Sequence, residues 1–100
     1  MNDKKIKITE AEGLYIGKLY YEYNSILSII HYLVSSENPP KNNYLEIYNQ
    51  EAEKRFLALE IAKTELIKKY CEENNIKSYN KYNIQFEEGY ILFMGVIEKC

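Results

Sequence analysis

Two long helical patterns take up most of this 100-residue chain, and few residues remain outside them from which to build a catalytic site. In the first, Ile16, Leu19, Tyr23, Ile26, Ile30 and Leu33 recur alternately three and four residues apart, as one face of a helix requires. Tyr20, Leu27 and Val34 widen the stripe to an arc of about 140°, which suits a helix packed against more than one neighbour. Thr9 with Glu12 three residues on reads as a capping box, so the helix is expected from Thr9 to about Ser35. Gly13 and Gly17 each weaken it by roughly 1 kcal/mol relative to alanine, so this end either frays or packs closely.

Pro39 and Pro40 forbid continuation of that helix, and Asn42 or Asn43 is suited to cap a new one. From Tyr44 to about Glu73 the main stripe is Leu45, Tyr48, Ala52, Phe56, Leu59, Ala62, Leu66 and Tyr70, with Ile67 at its edge. The short connection predicts an antiparallel helical hairpin. Ile47, Leu57, Ala58 and Ile61 fall on the other side of this second helix, and a helix apolar on two sides needs two covers. Leu57 and Ile61 are therefore expected to be buried, either by the C-terminal hairpin or by a second copy of the chain.

Tyr82, Ile84 and Phe86 alternate with Asn83, Gln85 and Glu87, the period of a half-buried strand. Glu87, Glu88 and Gly89 fit a three-residue turn with glycine in the left-handed position, returning into Tyr90–Met94. Ile6 and Ile8 alternate with Lys5 and Lys7 and supply a third strand, without which a lone hairpin is marginal in water. The fold class is thus α+β: an antiparallel helical hairpin packed on a small antiparallel β-sheet, in the order β-α-α-β-β, as a single domain over residues 1–100.

Composition narrows the function classes. No window approaches the roughly 18 apolar residues of a membrane span, and no apolar leader follows the lysine-containing N-terminus, so a cytoplasmic protein is expected. The net charge of −2 argues against nucleic acid as a partner. The run Lys77, Tyr79, Lys81 and Tyr82 mixes cations with aromatics in the manner of a single-strand binder, but Glu72, Glu73, Glu87 and Glu88 flank it, and it reads as a solvated loop.

Metal and nucleophile chemistry has little to work with. His31 is the only histidine, and Cys71 and Cys100 stand far apart without a C-x-x-C pair. Cys71 falls in the last turn of a helix, where the macrodipole disfavours a thiolate. Both cysteines are expected to be reduced and dispensable. The glutamates of the second helix alternate with lysines, as in Glu60 with Lys63 and Glu65 with Lys69, which suits exposed ion pairs. No catalytic residue, cofactor or metal site is indicated.

Eleven tyrosines and no tryptophan is the unusual count. An AT-rich genome, as in low-GC bacteria and their phages, accounts for the number as well as selection for contact surface does. Tyrosine offers large, fairly rigid area with a hydrogen-bonding tip. Tyr21 and Tyr32 must point away from the first helix's core stripe, and Tyr90 and Leu92 lie along the last strand, which is read as a sheet edge open to a peptide. These four are the candidate protein-binding residues.

The layout resembles that of the C-x-x-x repeat peptide modification system proteins, small accessory proteins encoded beside radical-SAM peptide maturases in low-GC bacteria. The stretches that carry the resemblance are Ile8-Thr9-Glu10-Ala11-Glu12, Glu22-Tyr23-Asn24-Ser25-Ile26 within the first helix, Leu45-Glu46-Ile47-Tyr48 through Ile67-Lys68-Lys69-Tyr70, and Tyr82-Asn83-Ile84-Gln85-Phe86 with the closing hairpin. The chain differs in lacking tryptophan before the hairpin. The resemblance implies a non-enzymatic accessory role in peptide modification, with no catalytic residues to carry over. The competing class is a phage- or mobile-element-encoded inhibitor that docks on a host defence protein.

Overall fold

The computed structural model describes residues 3–35 and 44–99. The expected caps at Asn42 or Asn43, the Pro39-Pro40 break and Cys100 lie outside the described residues. The elements are β1 (Lys4–Lys7), α1 (Glu10–Ser35), α2 (Tyr44–Glu73), β2 (Ile76–Ser78), β3 (Lys81–Gln85), β4 (Tyr90–Met94) and β5 (Glu98–Lys99). This is the α+β helical hairpin with a small antiparallel sheet. The added feature is a second, two-stranded sheet pairing β2 with β5, where the sequence reads as loop. A strand of three residues and one of two are too short to show a period.

Contacts group the chain into two compact units, Met1–Gly17 with Ala62–Cys100, and Lys18–Ile61. In the first, β1, β4 and β3 form an antiparallel sheet in that order. Register places Ile6, Ile91 and Ile84 side by side, with Phe93 beside Tyr82, on one face. Ile91 and Phe93 are fully buried on the middle strand, and Ile6, Ile8, Ile16, Leu66, Ile67, Tyr70 and Ile76 complete the core. The opposite face carries Lys5, Lys7, Tyr90, Leu92, Asn83 and Gln85, by the alternation of a pleated strand.

The turn between β3 and β4 spans four residues rather than three, because Gln85 pairs with Tyr90 and Phe86 leaves the strand. Gly89 takes the left-handed conformation at φ 84° and donates its N–H to the Gln85 carbonyl at 2.8 Å. Phe86 is drawn out of the ladder by helix α1. A Cβ on Gly13 would stand 2.8 Å from the Phe86 carbonyl oxygen, and one on Gly17 would stand 3.0 Å from its ring. Of the two outcomes the glycines allow, close packing is the one found.

The capping box forms as expected. Thr9 N–H donates to Glu12 Oε1 at 2.8 Å, and Glu12 N–H donates to Thr9 Oγ1 at 3.1 Å. Helix α2 ends at Asn74 and Asn75: the Asn74 amide and side chain both donate to the Tyr70 carbonyl, and Asn75 turns left-handed at φ 55°. Asparagine tolerates that conformation better than most residues and so can end a helix as glycine does.

The second unit is the remainder of the two helices. Tyr23 packs on Phe56 with ring centroids 5.6 Å apart, and Arg55 lies 3.8 Å from both Glu22 and Glu51. Ala52 and Leu59 are its buried apolar side chains. Leu19, Ile26, Ile30 and Leu33 are half-buried, as the predicted stripe requires.

Candidate functional site

The burial expected of Leu57 and Ile61 on the second side of α2 is not found. Leu57 is 52% exposed and Ile61 58% exposed, and Ile47 on the same side is also open. The two-sided pattern was real, but the sheet's inner face is filled by other partners: Ile91 and Phe93 sit among the buried residues of the first unit. The outward row of α2 is left as surface, with Glu53, Lys54 and Glu60 around it.

Helix α1 is open on a different scale. Tyr21 is 53% and Tyr32 73% exposed, so both point away from the packed stripe as the helical wheel requires. Tyr20, Leu27, Ile29 and Val34 are exposed as well. Tyr20 and Tyr21 meet edge to face at 5.6 Å. From Tyr23 to Ser35 the helix contains no lysine, arginine, aspartate or glutamate, and His31 is its one titratable group apart from tyrosines. Along these three turns water meets Leu27, Ile29, Tyr32 and Val34 interleaved with Ser25, Ser28, His31 and Ser35.

Tyr90 and Leu92 lie elsewhere. β4 is the middle strand, hydrogen-bonded on both sides, so the expectation of an open edge at Tyr90–Met94 is corrected. β1 pairs along all four of its residues and thereby takes the edge that the hairpin alone would have left. Tyr90 and Leu92 remain half-buried on the outer face, where Lys5 Nζ stands 4.2 Å above the Tyr90 ring. The outer strand β1 reads Lys-Lys-Ile-Lys, and lysine on an edge strand is a device that discourages further strand pairing. The four candidates thus separate into a helical pair and a sheet pair.

A cluster missed in the sequence sits at the start of α1. Lys69, read as the partner of Glu65, instead donates to Glu12 Oε2 at 2.5 Å, and Tyr70 donates its hydroxyl to Glu12 Oε1. Burial raises the Glu12 pKa, but hydrogen bonds from Lys69, Tyr70 and Thr9 outweigh it and hold the carboxyl at about 2. Lys69 is shifted up by its hydrogen bond to Glu12, and Tyr70 is shifted up by burial and then by Glu12. All of the carboxylate's strong partners are structural, which makes the group a clamp rather than a base poised near neutral pH. The capping box marks Glu12, and only the hairpin register brings Lys69 to it.

Two clefts open in the first unit. One, of about 210 Å³, is lined by Glu12, Tyr15, Ile16, Leu66 and Lys69; the other, of about 230 Å³, by Thr64, Ile67, Lys68, Cys71, Tyr79 and Tyr82. Both are smaller than the roughly 300–1,000 Å³ of small-molecule sites. Tyr79 stacks on Tyr82 at 6.3 Å and meets Phe93 edge-on at 5.1 Å, so the aromatics of the Lys77–Tyr82 run are engaged with the sheet. Cys71 is a free thiol whose pKa burial pushes up. Among the described residues, no group of three or more His, Cys, Asp or Glu is placed to hold a metal ion, and no helix is long and apolar enough to cross a membrane.

Comparison of the chain with protein-family models, with curated proteins and with solved structures gives no match in any of the three.

Proposed function

We propose that this chain is a non-enzymatic protein-binding factor that acts through the helical unit Lys18–Ile61. The observation that carries this reading is the set of large apolar side chains that the unit leaves in water: Tyr21, Tyr32 and Val34 on α1, and Ile47, Leu57 and Ile61 on α2 are each at least half exposed. Scattered apolar residues on a surface need no explanation, but Leu57 and Ile61 lie one turn apart on one side of α2, and six large apolar side chains at least half exposed on one pair of helices suit a contact surface. Aromatic anchors of this kind dominate interface energetics.

The layout resemblance makes an accessory role in radical-SAM-dependent peptide modification the first form of the proposal to test, with the maturase or its cysteine-containing peptide as partner. A phage- or mobile-element inhibitor of a host defence protein is the second form. Affinity capture from the native host separates them by what is recovered. In either form, Leu57→Asp with Ile61→Asp, or Tyr21→Ala with Tyr32→Ala, should remove the captured partner. Capture that survives both double substitutions unchanged would overturn the reading.

A further inference from the structure

The first unit holds a carboxylate that its own helix leaves unpaired. Glu65 stands four residues before Lys69 on α2, a spacing at which the two would pair along the helix, but the Lys69 ammonium donates to Glu12 Oε2 instead. No other cation takes its place: among the described residues Glu65 has neither an ion pair nor a hydrogen bond.

Glu65 borders the cleft of about 210 Å³ between the start of α1 and the end of α2. The floor of that cleft is apolar, formed by the buried Ile16 and Leu66. Its wall is Tyr15, which is 58% exposed and has no ring, cation or hydrogen-bond partner among the described residues. Lys69 and the ionised Glu12 also line the cleft, and as a hydrogen-bonded pair their charges cancel. One negative charge is left over, and it is that of Glu65.

We infer that this cleft takes the side chain of an arginine from a polypeptide, its methylene stem on Ile16 and Leu66 and its guanidinium against the Glu65 carboxylate and the Tyr15 ring. The cleft lies in the first unit, apart from Lys18–Ile61, so the inference goes beyond the protein-binding reading and stands or falls without it.

Size and chemistry select this occupant. At about 30 Å³ for each water-sized group, the cleft has room for about seven heavy atoms, the number an arginine carries beyond its Cα. That is a side chain and not a whole small molecule. A carboxylate beside an aromatic face suits a planar cation, which can bond to the acid along its edge while it stacks on the ring with its face. An ammonium is a point charge and cannot do both in this way. An apolar side chain would fill the floor but strip water from Glu65 without pairing it, and an acidic one would be repelled.

The test is an NMR titration of backbone amides in the full chain with the peptide acetyl-Gly-Arg-Gly-amide. Peptides with lysine or glutamine in the central place, and free arginine, are the comparisons. The expected result is saturable shifts centred on residues 12–16 and 62–69, with a dissociation constant on the order of 1 mM, as fits a single side chain. The lysine peptide should bind at least about threefold more weakly, and the glutamine peptide should not saturate. Glu65→Gln should weaken the arginine peptide at least about fivefold and Tyr15→Ala about threefold, while Glu65→Lys, which sets its own ammonium in the cleft, should remove binding. Glu65 and Tyr15 are exposed, so helical circular dichroism should be retained and serves as the folding check.

Absence of saturable shifts in wild type, shifts centred on other residues, a glutamine peptide bound as well as the arginine one, or a Glu65→Gln variant that binds like wild type would each overturn the inference. Free arginine bound more tightly than the peptide would overturn the polypeptide source. The Tyr21→Ala, Tyr32→Ala double variant should titrate like wild type, so loss of capture through the helical unit and loss of arginine binding are separate results.

Discussion

Lys69 reaches Glu12 across 57 residues of chain, its ammonium donating to the carboxylate that also caps the first turn of α1. One side chain thereby serves two structural ends, the helix start and the attachment of α2 to it. The folded Glu12 carboxyl takes up its proton at about 2, whereas an unfolded glutamate does so near about 4.3. As the pH falls, the unfolded chain binds the proton first, so the clamp's contribution is whole above about pH 5 and disappears as the pH approaches 2. Thermal melts of wild type should show a loss of stability over this window that Glu12→Gln flattens, and the variant should be less stable than wild type at pH 7. An equally steep acid limb in Glu12→Gln would assign the sensitivity to other carboxylates.

Gly13→Ala sets helix propensity against packing. Alanine gains roughly 1 kcal/mol in the helix, but its Cβ would stand 2.8 Å from a main-chain oxygen that the β3–β4 turn holds in place. The clash should win, giving a net destabilisation of about 1–2 kcal/mol in urea unfolding. Gly17→Ala meets a ring that can tilt, so its net change should be smaller. A stabilised Gly13→Ala would mean that the turn gives way.

Leu57→Asp should melt like wild type, within about 1 kcal/mol, because the side chain is already more than half exposed and aspartate costs only its lower helix propensity. The same substitution should impair partner capture. A large drop in melting temperature in a monomer would show the side chain to be covered within the chain.

The Cys71 thiol should alkylate at neutral pH more slowly than a free cysteine, since burial raises its pKa and depletes the thiolate. Cys71→Ser with Cys100→Ser should leave folding and capture unchanged. Fast labelling of Cys71 would place it at a more open or more electropositive position.

Periodicity made the helices legible nearly to the residue: α2 runs Tyr44–Glu73 as its stripe predicts, and the Thr9–Glu12 box forms. Leu57 and Ile61 are legible as a second apolar side, while their exposure is not, because a repeat tells that a face is apolar and not what lies opposite. The place of Tyr90–Met94 between two strands depended on Lys4–Lys7 docking beside it, a long-range pairing no local pattern encodes. Lys69 misled for the same reason, since its local partner Glu65 at four residues competes on paper with Glu12, which only the tertiary register brings near. Of the candidate binding residues, Tyr21 and Tyr32 followed from the helical wheel alone, whereas Tyr90 and Leu92 needed the sheet order to be understood as a face and not an edge.

The central claim, that the helical unit Lys18–Ile61 is the binding surface, is tested most directly by amide hydrogen exchange of the full chain, alone at low concentration and again with its captured partner. Slowed exchange confined to peptides from 18–35 and 44–61 is the predicted result. Protection that falls instead on β1, β3 and the outer face around Tyr90 and Leu92, with the helical unit unchanged, would contradict it.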